Sequence, residues 1–113
     1  MEALEAVERA LEANPDELVF RPYILQLRGE LQLKQKHIDK AEGDFRESIA
    51  LARKMGAKAW GLRASMSLAR QLAQQGRREE ARTMLDEIYN WFTEGFDTAD
   101  LKEAKALLDE LSR

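Results

Sequence analysis

The chain reads as an all-α protein, a right-handed stack of antiparallel helix pairs with about six helices, and three observations predict it. Apolar residues recur at spacings of three and four, as in Leu4-Val7-Leu11, Phe45-Ile49-Ala52, Leu85-Ile88-Phe92 and Leu101-Ala104-Leu108-Leu111, a pattern that lines one face of a helix. Strand-like alternation and the Asn-Gly or Asp-Gly hairpin signals are absent from the sequence. Gly56, Gly76 and Gly95 each follow a periodic stretch, where a helix end calls for the left-handed backbone that glycine adopts without strain.

The helices fall in order over 2–13, 21–35, 38–55, 57–75, 78–94 and 98–112. The first ends ahead of Pro15. The second opens on Pro22, whose missing N–H is harmless in a first turn. The third runs from the turn "KQKHID" to Gly56, the fourth from "MGAK" to Gly76, and the fifth from "QQGRRE" to "EGFDT". Asp97 or Thr98 can cap the sixth, with Asp100 placing negative charge near its positive N-terminal end. Short links force neighbouring helices antiparallel.

At 113 residues the chain suits one domain with a core of its own. It has no cysteine, which excludes disulfides, thiolate metal sites and a cysteine nucleophile. No apolar run approaches the ~20 residues that span a bilayer, so no membrane association is expected. The opening "MEALEAVERALEANP" is acidic and amphipathic, unlike a signal or transit peptide, and a cytoplasmic location is expected. Net charge is −3, unevenly spread. Residues 1–20 and 83–113 are acidic, whereas 53–82 hold eight bases against Glu79 and Glu80. Such a layout can steer acidic partners or further copies of the chain; solvated helix faces are the plainer reading.

A repeat is visible behind uneven spacing. Ala3, Ala41 and Ala81 align, followed by Val7, Phe45 and Leu85, then by Ala10, Ser48 and Ile88; Gly29 aligns with Ala69 in the preceding helices. This pattern resembles the tetratricopeptide repeat, a helix pair of nominally ~34 residues. The family wants small residues where Gly29, Ala41, Ala69 and Ala81 stand, and a large apolar one at 45 and 85. The steps here are longer, Leu25 and Ser65 stand where an aromatic is usual, and Ile88 replaces a small residue. The resemblance implies a single domain over 1–113: a second helix of an incomplete repeat (2–13), repeats at 21–55 and 57–94, and a C-terminal capping helix (98–112).

The phrase "AKAWGLRASMSLARQLAQQGRREEARTMLDEIYNWFTEGFDTADLKEAKALLDEL" is similar to the C-terminal tetratricopeptide-like tail of large bacterial ATPase or adenylate-cyclase-type signalling regulators. The resemblance implies a non-catalytic interaction module at the end of such an array, with no cyclase or ATPase activity. Within it, Trp91, Phe92 and Phe96 are expected to pack the last helix onto the final pair, as terminal repeats need a cap.

Enzyme and cofactor motifs are missing. There is no Gly-x-Gly-x-x-Gly and no phosphate loop, and "GFDTAD" lacks the spacing of an EF-hand. His37 is the only histidine, without a second ligand for zinc or a triad. No catalytic residue, cofactor or metal is expected. A sequence pI of about 5.3 makes a nucleic-acid partner unlikely.

A protein or peptide partner fits better. By the resemblance, first helices line a concave groove, which here implies Tyr23, Gln26, Glu30 and Lys34 from one pair and Arg63, Met66, Arg70 and Gln74 from the next. The alternative is self-association as a homodimer: helix 2–13 lacks a preceding partner, so its stripe of Leu4, Val7 and Leu11 is a candidate interface.

Overall fold

A computed structural model of the protein describes residues 2–13, 20–95 and 98–113. Among them are six helices and no strand: α1 (Glu2–Ala13), α2 (Arg21–Lys34), α3 (Ile38–Met55), α4 (Lys58–Gln74), α5 (Arg78–Tyr89) and α6 (Ala99–Leu111). Each helix packs on its sequence neighbours, and α4 also touches α2 and α6.

Side-chain bonds fix the directions. Arg28 of α2 meets Asp44 of α3, while Pro22, earlier in α2, receives a 2.6 Å hydrogen bond from the hydroxyl of Ser48, later in α3. Neighbouring helices therefore run antiparallel. Helices two apart run parallel: Arg46 and Arg53 of α3 pair with Glu80 and Glu87 of α5. In the same way Arg63 and Arg70 of α4 pair with Asp100 and Glu103 of α6. Thus α2, α4 and α6 lie side by side in one row, with α3 and α5 in the other.

The core repeats itself at the aligned positions. Ala41 and Ala81, Phe45 and Leu85, Ser48 and Ile88 are all buried, as are Gly29 and Ala69. Gly29 is required by a close approach: a Cβ there would stand 2.6 Å from the Phe45 ring. Ten residues of α4 are buried, which makes it the central helix, as its four neighbours require.

The expected breaks hold with one exception. Gly56, Gly76 and Gly95 have φ near +75°, at 73°, 78° and 77°. Thr98 caps α6 by accepting from the Leu101 N–H; Asp97 lies outside the described residues. The last carbonyls of α6, which has no basic residue in its final turn, are met by Arg78, whose guanidinium donates to Glu110 and Leu111. The exception is helix 78–94, which ends at Tyr89. Beyond Asn90 the chain tightens, with Trp91 N–H on Ile88 and Phe92 N–H on Tyr89. The Trp91 ring lies beside Gly61 of α4 and beneath the Arg53 guanidinium, 5.1 Å from the ring centroid, and its carbonyl accepts from Lys58. These contacts set the path of the chain after Tyr89, which helical periodicity could not reveal.

Of the aromatics expected to seat the last helix, Trp91 packs back onto α3 and α4. Phe92 is half-buried against the core that includes Leu101, Ala104, Leu108 and Leu111 of α6, and Phe96 lies outside the described residues.

Candidate functional site

The row of α2, α4 and α6 presents the face on which the groove residues were expected. The short turns that follow α2 and α3 reverse the chain twice and set α2 and α4 parallel, so their matching residues arrive at the same height. Between them lies an open cleft of about 330 Å³ lined by Glu30, Leu33 and Lys34 of α2 and Ser67, Arg70, Gln71 and Gln74 of α4. Four of the eight expected residues, Glu30, Lys34, Arg70 and Gln74, therefore meet in one place.

Polar bonds order the cleft. The Ser67 hydroxyl donates to Glu30 Oε1 at 2.6 Å, and Gln26 Nε2 donates to Ser67 Oγ at 3.4 Å. Gln71 is buried and donates from Nε2 to the Ile38 carbonyl at 2.9 Å. That bond orients the amide, since the reverse would set two acceptors together. Its Oε1 is buried and accepts no hydrogen bond among the described residues, a state that costs free energy until a donor reaches it. The Lys34 ammonium engages no acceptor among the described residues.

The remaining expected residues divide. Tyr23 is exposed further along α2, and Gln26 is half-buried. Arg63 and Arg70 are not free cations, because Asp100 and Glu103 of α6 each lie 3.0 Å from them. Both pairs are about half exposed and so contribute little stability, but an acidic ligand would have to displace them. Met66 is 3% exposed and belongs to the core with Leu101 and Ala104, since α6 is seated on that part of α4. It is not a groove residue.

The residues of the self-association stripe divide as well. Val7 is buried and Leu4 half-buried on α1, whereas Ala3, Ala6, Glu8 and Glu12 are exposed. A helix as short as α1 holds its place by turning its apolar side onto α2. Leu11's side chain lies outside the described residues.

Sequence reasoning missed Ser67, Gln71 and Leu33. A signal was present for Gln71: it is an uncharged polar residue between Leu68 and Leu72 of the apolar helical pattern. Ion pairs between rows account for much of the uneven charge. Arg77 joins Glu42 of α3 to Glu80 of α5 at 2.9 and 2.8 Å, which depresses both carboxyl groups below their usual range and raises Arg77, chiefly through these hydrogen bonds. The basic middle segment is thus largely answered by acids of this same chain rather than held out for steering.

No cluster of three or more His, Asp or Glu side chains suited to a metal ion occurs among the described residues. His37 Nδ1 meets Gln32 Oε1 at 2.8 Å, a contact that needs its proton on Nδ1. No helix among the described residues is long and apolar enough to cross a membrane. What the fold and site define is an all-α helical array with a polar cleft between parallel helices. No protein-family model, curated protein or solved structure matches the chain.

Proposed function

We propose that this chain is a non-catalytic interaction module of tetratricopeptide-like architecture, a right-handed superhelix of helix pairs that holds a protein or peptide segment in the α2–α4 cleft. The observation that carries the reading is the cleft itself, where Lys34, Arg70 and Gln74 line one opening. A peptide brings the matching chemistry: carbonyls for Gln74 and a carboxylate for Lys34. The small volume restricts the contact to a few residues. Placement at the end of a bacterial signalling regulator follows from the closing phrase of the sequence and belongs to the same proposal.

The test is selection of a displayed peptide library on the purified chain, followed by affinity measurement against Gln74→Trp, which fills the cleft from its exposed rim. Selected peptides are expected to lose at least about tenfold in affinity, about 1.4 kcal/mol. Equal affinity for the two proteins would remove the cleft from the account. Reversing Arg63 or Arg70 is a poorer choice, because it would also repel α6.

A further inference from the structure

The sequence register that aligns Gly29 with Ala69 also aligns Leu27 with Ser67 and Leu31 with Gln71. In α4 these positions turn back toward α2: Ser67 bonds Glu30, Gln71 bonds the Ile38 carbonyl, and both are buried. In α2 the same positions are apolar, yet Leu27 is 38% exposed and Leu31 only half-buried. Only α1, α3 and α4 pack on α2 among the described residues. Among the described residues, the flank that α2 covers in α4 is therefore open in α2.

The open stripe has two chemically different ends. At the start of α2, Phe20 and Tyr23 are 58% and 47% exposed, and the Trp60 ring backs Phe20 at 6.0 Å between centroids. At the other end, about 21 Å along the helix, stand the exposed Lys34 and Lys36, whose ammonium groups engage no acceptor among the described residues. Aromatic faces and ammonium groups attract. A second α2 laid antiparallel sets each lysine end on an aromatic end, with Leu27 near the middle of both.

We propose that this stripe is a twofold self-association surface, in which α2 of two copies pack antiparallel. Leu27 lies against its own counterpart at the axis, and Lys34 of each copy reaches the Phe20 and Tyr23 rings of the other. Head-to-tail stacking is excluded as the occupant by the outward side of α6, which exposes Lys102, Lys105, Asp109 and Glu110 and offers no apolar stripe to cover α2. An isologous contact needs only the one surface.

Light scattering on the full chain tests this, over roughly 10 µM to 1 mM to bring a weak dimer within reach of mass action. The wild type is expected to rise to twice its monomer mass, and Leu27→Glu to remain monomeric with unchanged helical circular dichroism. Because the chain lacks cysteine, single thiols give a second reading. Leu27→Cys should oxidise to a covalent dimer much faster than Gly43→Cys, placed in open space on α3. A wild type monomeric throughout, a dimer that survives Leu27→Glu, or equal oxidation of the two thiols would each overturn the assignment. Lys34 lines both surfaces, so a peptide and a second copy compete for it; Gln74→Trp alters only the cleft and Leu27→Glu only the stripe, so the two readings still fail separately.

Discussion

The α2–α3 and α4–α5 pairs meet the same packing requirement with opposite volumes. In the first, a glycine (Gly29) lets the large Phe45 ring lie against the facing helix; in the second, Ala69 carries its methyl and the opposing residue shrinks to Leu85. All four are buried. A turn further along, Ser48 spends its hydroxyl on the Pro22 carbonyl, whereas Ile88 fills the equivalent place with hydrocarbon. The residues at one position are explained only together with those they face. Interiors packed to crystal-like density leave little other choice.

That comparison can be broken most forcefully at its largest side chain. Phe45→Ala should cost about 3–5 kcal/mol of unfolding free energy, and Leu85→Ala about 2–5, read from urea midpoints at constant slope; a smaller loss at Phe45 would mean that α2 and α3 collapse onto the space. Gly29→Ala comes next. The clash with a fully enclosed ring should outweigh the better helix propensity of alanine, for a net loss of about 1–3 kcal/mol. Adding Phe45→Leu should recover most of it, since the double variant copies the arrangement of the second pair.

The turns supply a smaller effect of opposite sign. Lys36 has φ 63°, in the position that Gly76 fills at φ 78° in the next pair. Lys36→Gly should stabilise the chain by about 1 kcal/mol, because a side chain in the left-handed region is strained, and thermal unfolding would register the gain. The weakest effect concerns the bridge between the pairs. Glu42 and Glu80 are held below their ordinary value of 4.5 by Arg77. Their contribution is complete above that value and is lost as pH falls through the depressed folded values. Arg77→Met should therefore shallow the acid limb of stability between roughly pH 5 and 2, and an unchanged limb would show that the bridge is inert.

Much of the helical architecture was legible in the chain. Periods of three and four located all six helices, and Gly56 and Gly76 marked two ends, because these signals are local. What escaped depends on residues far apart in sequence. Trp91 leaves the helical path for Gly61 and Arg53. Arg63 and Arg70 look like free groove cations until α6 brings Asp100 and Glu103 to them. Met66 is inside for the same reason, and Val7 of α1 is buried while Leu27 of α2 stays exposed. Half of the expected groove set does line the cleft, because transfer between helices by register preserves height along the row. It does not show which flank the next helix will cover.

The position of α4 has a kinetic consequence. Among the described residues it is the one helix that packs on four others, while α1 rests on α2 alone. Peripheral helices can therefore peel away with most of the array intact, but the amides of α4 are released only when the whole structure opens. Native-state hydrogen exchange should grade accordingly, fastest in α1 and slowest at Leu62 to Leu72, so the protein yields from its edges inward.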